Sequence, residues 1–440
     1  MKKLYYILFG ISFFLLIFPD ISNYELANYH FYILILLMIV DFVITKSIST
    51  FTIWISAFIY IILSEPIINN YGKEYSWSIR YLLSANNVVL LTYLMTRPTL
   101  KYFKSNFEHA SKCVNPRLFS FIIILMYLVY IIQTYNHVLT NYEGARQLGN
   151  AVGGGSLQGA FVKTFGQVLP VLIGYYIVRV KHASKWFALT LCIPIFFFLL
   201  VLGTRFRLLF SIAPFFLVTD FIRLKKINKK SLFFMIAFGV GLVIFTNTMK
   251  EKRNSSFAEV INSVSLINNS QESSNQSLSV KICSNCSPEG IVEMTRLANI
   301  YFQTHDLKYG ECSGMLFYFW IPRNIWKEKP TQLDYWMPRY FNPDLSTTFS
   351  SASGFTGEVR ADFGLLSYLF MVLFGFLLRK VNTMLFLSDY GRKPSYSTLY
   401  VSLLIPYLFF FVRSPLTSSY SLIFEFVTIY IIGRFCFSKS

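Results

Sequence analysis

Apolar runs long enough to cross a bilayer recur along almost the whole chain. This recurrence limits the fold more than any other feature of the sequence. The runs fall at 4–18, 29–45, 51–68, 79–96, 117–135, 157–178, 185–202, 206–222, 232–248, 363–380, 396–412 and 418–437. A helix rises 1.5 Å per residue, so the hydrocarbon core takes ~20 apolar residues, or ~17 at the short end. The expectation is an all-α polytopic membrane protein of about twelve transmembrane helices. A hydrophobic share of 54% agrees with that class. The first run follows Met1-Lys2-Lys3 and resembles a signal peptide. No small-residue cleavage site comes after it, so it is read as an uncleaved first helix.

Lys and Arg orient the spans. One set of connections carries Lys2/Lys3, Lys46, Arg97/Lys101/Lys104/Lys112/Arg117, Arg179/Lys181/Lys185, Arg223/Lys225/Lys226/Lys229/Lys230, Arg379/Lys380/Arg392/Lys393 and Lys439. The alternate set is far poorer in such runs, so the basic set faces the cytoplasm and both termini lie inside. Much of the net charge of +18 is therefore topology and contact with anionic lipid, and it requires no nucleic acid.

One polar interval, Thr248 to Asp362, breaks the pattern and falls on the outer side. The chain divides into helices 1–9 over residues 1–248, a large loop over 249–362, and helices 10–12 over 363–440. Residues 254–287 are rich in Asn and Ser and are expected to be mobile. Ser287–Pro288 then suits a helix N-cap and first turn. Ile291, Met294, Ala298, Tyr301 and Phe302 follow at helical spacing. Gly314 to Ile321 (GMLFYFWI) is too short to span and reads as interfacial or re-entrant. Trp320, Trp326, Tyr335, Trp336, Tyr340 and Phe341 suit the headgroup level or stacking on sugar rings.

The positive-inside rule does not ask for cations on the outer side. Yet Arg146, Arg205, Arg207, Arg323, Lys329, Arg339 and Arg360 lie there or near the outer boundary. An anionic ligand is their expected use, because guanidinium stays charged and binds phosphate oxygens in pairs. Three phrases concentrate these residues. Gly203–Arg207 (GTRFR) opens the eighth predicted helix; a snorkelling helix-end arginine is the plainer reading of Arg205. Pro322–Pro330 (PRNIWKEKP) holds Arg323 and Lys329 between prolines, or is simply a solvated basic turn. Gly357–Gly364 (GEVRADFG) leads into the tenth helix. If it is helical, Glu358 and Asp362 share a face and Arg360 points elsewhere. The plainer reading is an acidic helix start.

Other chemistries leave no trace in the sequence. There is no phosphate-binding loop, no dinucleotide fingerprint and no acidic metal motif in an outer loop. No metal or cofactor is expected. His305, beside Asp306, is the one histidine suited to an outer-face base. Glu425 lies within the last span, where it serves either function or a structural pair. Cys283 and Cys286 suit a local disulfide in an oxidising compartment.

LGTRFRLLF, FYFWIPRNIWKEKP and SGFTGEVRADFGLLSYLFMVLFGFLLR, taken in that order with the topology, resemble the O-antigen polymerase family, the oligosaccharide repeat-unit polymerases. The resemblance implies a fold similar to the C-type membrane glycosyltransferases. It implies a bacterial inner-membrane, inverting enzyme that polymerises undecaprenyl-diphosphate-linked oligosaccharide repeat units at the periplasmic face, without metal. Donor and acceptor lipids, the surrounding membrane lipids and a chain-length regulator protein are the implied partners. Carried over by motif, Arg205, Arg323 and Arg360 would be the functional arginines. Glu358 is the first candidate for the base, followed by Asp362 and His305. A lipid-linked oligosaccharide flippase and an O-antigen ligase are the competing expectations. A flippase would favour charges along a central cavity rather than in one outer loop.

The topology is testable by reporter fusions. A fusion near Ser274 should be active outside, and fusions at Lys226 or Arg392 inside. A cytoplasmic signal from the Ser274 fusion would overturn the orientation and every site assigned to the large loop.

Overall fold

The structure, a computed structural model, describes residues 2–69, 71–96, 113–140, 157–201, 205–221, 290–318, 321, 325–343, 352–388, 397–414 and 419–437. Among these residues the chain is all-helical, apart from one isolated antiparallel bridge between Cys113 and Phe437. The helices are α1 (Lys2–Ile17), α2 (Asn23–Thr45), α3 (Thr50–Phe58), α4 (Ser64–Asn69), α5 (Ser76–Met95), α6 (Pro116–Thr140), α7 (Leu157–Tyr175) and α8 (Lys185–Val201). They continue as α9 (Arg205–Val218), α10 (Ile291–Thr304), α11 (Glu311–Tyr318), α12 (Leu333–Phe341), α13 (Gly354–Phe363), α14 (Ser367–Ser388), α15 (Ser397–Arg413) and α16 (Tyr420–Cys436).

Among the described residues three stretches are long and apolar enough to cross a membrane: Asn23–Thr45, Pro116–Thr134 and Gly354–Leu385. Shorter apolar helices lie at Leu4–Ile17, Thr50–Leu63, Thr164–Val180, Lys185–Leu199, Leu208–Val218 and Thr398–Arg413. The expected span at 232–248 lies outside the described residues. The tenth span begins earlier than its apolar pattern suggested. GEVRADFG is itself helical, and a 3-10 turn at Gly364–Leu366 joins α13 to α14.

Local chemistry sets the helix ends. Ser22 and Glu25 form a reciprocal capping box that starts α2, and Lys46 in the left-handed region ends it. Ser49 caps α3, which runs through a π-turn at Ile59–Leu63 into α4. Gly290, at φ 55, precedes α10. Ser287 and Pro288, expected to start that helix, lie outside the described residues.

The described residues form two compact units, one of 2–96 with 290–423, the other of 113–221 with 424–437. The loop helices α10–α13 thus belong to the same unit as α1–α5, α14 and α15. Within it α5 and α14 come closest at Gly375. A Cβ there would stand 2.5 Å from the Val89 carbonyl oxygen and 2.8 Å from Thr92 Cβ. Small residues let helix backbones approach in this way. Buried polar pairs tie α3 to both helices. Trp54 Nε1 donates to Asn86 Oδ1 at 3.0 Å, and Thr50 N to Asn382 Oδ1 at 2.9 Å. Asp41, buried on α2, accepts from Tyr5, Ser49 and Thr52 hydroxyls.

In the second unit α7 packs on α6, α8 and α9. Gly174 meets Thr219 and Phe215, while Ser211 Oγ donates to the Gly166 carbonyl at 2.8 Å. Pro170, Pro194 and Pro214 sit inside α7, α8 and α9, and each removes one backbone donor from the helix ladder. Arg179 pairs with Asp220 at 2.9 Å. Glu425, on α16, is fully buried.

Gly375→Ala should destabilise the protein by about 1–3 kcal/mol, because a methyl would press on backbone that cannot rotate away. Gly10→Ala is the control, since nothing lies within 4 Å of its Cβ position. Thermal unfolding in detergent should separate the two. Equal midpoints would show that the α5–α14 contact is looser than described.

Candidate functional site: an arginine on two aromatic rings

Helix α13 positions the site, and two glycines place α13. Gly354 has φ +64, and a Cβ there would stand 2.7 Å from the Val412 carbonyl oxygen, so the helix begins directly on the end of α15. Gly364 has φ +56, with Leu307 Cδ1 3.0 Å from its Cβ position. Both are conformations that side-chain-bearing residues rarely adopt. Residues 308 and 309 close the helix end: Lys308 N donates to the Ala361 carbonyl and Tyr309 N to that of Asp362.

On this helix Glu358 and Asp362 share a face, and both are fully buried. Asp362 Oδ1 accepts from Cys312 N at 2.9 Å; Oδ2 accepts from Ser313 N at 2.7 Å and from Ser313 Oγ. A carboxylate held this way caps α11 and complements its dipole. Both oxygens are committed to the first turn of α11. The Asp362 and Glu358 charges face the same neighbours. Burial, then Asp362, then Glu358 push the Cys312 thiol well above its ordinary range. The Tyr318 phenol is raised to about 12, by burial first and then by acids that include Glu311, Asp362 and Glu358.

Arg360 points the other way. Its guanidinium carbon lies 5.0 Å from the Trp77 ring centroid and 5.4 Å from that of Tyr81. Those two rings, one helical turn apart on α5, are stacked with an interplanar angle of 2°. The Tyr81 hydroxyl reaches Ser367 Oγ at 2.9 Å and the Thr356 carbonyl at 3.3 Å, which holds α5, α13 and α14 in register. Contact with the ring faces stabilises the cation and orients it without using its N–H groups. The Arg360 Nη1 is buried and has no hydrogen-bond partner. A nitrogen so placed is suited to an anionic oxygen.

His305 is exposed at the end of α10. It stacks on Tyr301 at 4.1 Å, with Nδ1 3.1 Å from the Tyr301 carbonyl and Nε2 3.3 Å from the Tyr340 hydroxyl. Arg339 Nε donates to the Tyr335 carbonyl at 2.8 Å. The buried Lys329 donates through Nζ to the Ile321 carbonyl at 3.0 Å and is not the solvated cation of the plainer reading. Glu358, Arg360 and Asp362 are therefore brought together on one helix. Arg205 and Arg207 open α9 in the second unit. Arg146, Arg323, Trp320, Cys283 and Cys286, and the segments 254–287 and 141–156, lie outside the described residues. Cys312 is a free, buried thiol.

Sequence reasoning missed three residues. Trp77 and Tyr81 carry the arginine, and their i, i+4 spacing at the start of α5 is the signal that could have found them. Asp334 is the third. It sits in the first turn of α12, beside the cluster of Met294, Ala298, Cys312, Leu333, Met337 and Ala361. Its Oδ1 is buried without a hydrogen-bond partner. Burial pushes the Asp334 carboxyl up to about 7, and the charge of Arg413 opposes this. Only its position after an apolar residue in a helix start hints at this, so the sequence carries almost no signal.

Asp334 sets a pH dependence whose sign is fixed. Its folded-state pKa, about 7, lies above the unfolded value. Between about pH 4 and 7 the folded chain therefore binds more protons, and stability falls as pH rises through that window. Asp334→Asn should remove this slope. Thermal midpoints in detergent, followed from pH 5 to 8, should fall more steeply for the parent than for the variant. Parallel curves would contradict the buried carboxyl.

No protein-family model, no curated protein and no solved structure matches this chain.

Proposed function

We propose that the chain is a multi-pass enzyme of the bacterial inner membrane that polymerises undecaprenyl-diphosphate-linked oligosaccharide repeat units. In this reading the twelve spans put both termini in the cytoplasm and α10–α13 at the periplasmic face. The observation that carries the reading is Arg360: a guanidinium seated on Trp77 and Tyr81, with a buried Nη1 that no protein group uses. Such a group is oriented in advance for a diphosphate oxygen.

The reaction is a glycosyl transfer with inversion. The acceptor hydroxyl oxygen attacks C1 of the donor's reducing-end sugar. The C1–O bond to the diphosphate breaks, and undecaprenyl diphosphate leaves with the electron pair. Arg360, with Arg323 by resemblance, offsets the charge that develops on the leaving group. The acceptor proton passes to a base. Glu358 is preferred over Asp362 for that role, because Asp362 already accepts from three groups at the start of α11. His305 is the remaining candidate, its ring engaged at both nitrogens by Tyr301 and Tyr340.

Purified protein with undecaprenyl-diphosphate repeat units tests this. Arg360→Ala should lower turnover by roughly 10²–10³-fold. Arg360→Lys should rescue poorly, since an ammonium lacks the planar fork. Glu358→Gln should bind the lipid and lose turnover. Normal ladders of repeats from Arg360→Ala would overturn the proposal. Movement of the lipid across the bilayer without new glycosidic bonds would make the protein a flippase instead.

A further inference from the structure

Away from the site just described, the turn between α7 and α8 in the second unit carries cations and large aromatic rings side by side. It joins two apolar stretches, Thr164–Val180 and Lys185–Leu199. A π-turn at Tyr176–Val180 ends the first stretch. Lys181 N then donates to the Tyr176 carbonyl at 2.9 Å and Ala183 N to that of Ile177 at 2.8 Å, with His182 at φ 54 between them. Ser184 Oγ accepts from Trp186 N at 3.2 Å as α8 begins. Phe221, just past α9, meets two residues of the turn. The Lys185 ammonium lies 4.4 Å from its ring centroid, and the Trp186 ring 5.1 Å away at 78°. The Lys181 ammonium stands 5.9 Å from the Tyr176 centroid.

Charge and exposure at this turn point the same way. No Asp or Glu occurs between residues 176 and 219, and Arg179 engages Asp220 at 2.9 Å. Lys181 and Lys185 therefore leave an excess of positive charge, and among the described residues neither has an ion pair. Beside them Trp186 and Phe187 are each 56% exposed. A turn facing water alone would leave both rings solvated, which apolar area disfavours. A free phosphate ion would match the lysines and leave the rings unused. A phospholipid with an anionic headgroup matches both. Its phosphate meets the ammonium groups, and the rings suit the boundary between headgroups and acyl chains. A zwitterionic headgroup would bring a cation of its own toward the lysines.

We infer that Lys181, Lys185 and Trp186 form a docking surface for an anionic phospholipid. The inference rests on the membrane reading of the apolar helices and uses none of the polymerase chemistry.

The full-length protein, in nanodiscs of phosphatidylglycerol and phosphatidylcholine in equal amounts, is released into the gas phase, and the lipids it keeps are counted by native mass spectrometry. The parent should keep phosphatidylglycerol in preference to phosphatidylcholine. Lys181→Gln and Lys185→Gln should each lower that retention about fivefold, the worth of one cation near an anionic surface. Trp186→Ala should lower it as well. Lys73→Gln removes an exposed cation in the other unit and should retain the lipid as the parent does. Equal retention of the two lipids by the parent would overturn the docking surface. So would parent-like retention when Lys181 and Lys185 are both replaced by Gln. Release of the bound lipid by millimolar inorganic phosphate would show a free-phosphate site and overturn the lipid. Because no turnover is read, failure of the polymerase reading and failure of this surface are seen separately.

Discussion

The approach of α5 to α14 at Gly375 is the contact on which the first unit depends. Only a residue without a side chain lets the two backbones come this near the Val89 carbonyl. Once they do, Tyr81 on α5 reaches Ser367 at the head of α14 and the Thr356 carbonyl on α13. That hydroxyl sets where α13 lies. The position of α13 then decides two things together: Arg360 falls over Trp77 and Tyr81, and Asp362 meets the first turn of α11. A single helix contact thus passes, through one phenol, into the geometry of every charged group on α13.

Three buried acids in this unit do different work because their surroundings differ. Asp362 is surrounded by donors and serves as a helix cap. Asp334 has a buried oxygen with no donor, and its affinity for a proton rises accordingly. Glu358 faces Cys312 and Tyr318, whose own ionisation its charge opposes.

Polar residues within the apolar helices divide in a comparable way. Asp41 is met by the hydroxyls of Tyr5, Ser49 and Thr52, and Asn86 by Trp54, so these groups join helices together. Gln167 and Thr164 join nothing within the protein. The first group explains cohesion without large charges.

What was legible in the sequence was what depends on short-range pattern. Helix type followed from continuous apolar runs. That Glu358 and Asp362 would share a face, with Arg360 on another, followed from spacing on the condition that GEVRADFG is helical, a condition the structure meets. The N-cap expected at Ser287 lies outside the described residues, and α10 is seen from Gly290 and Ile291 onward. Nothing in the local pattern paired Trp77 and Tyr81 with an arginine about 280 positions later. Nor could it reveal that Asp334 would lose its water, or that Asp362 would belong to α11 rather than stand open. Periodicity is a property of neighbours along the chain, so the sequence by itself determined that these segments are helices and which residues share a face. Burial and partnership are properties of neighbours in space, so only the tertiary structure decided which of those charges are caps, which are desolvated, and which keep an uncommitted hydrogen.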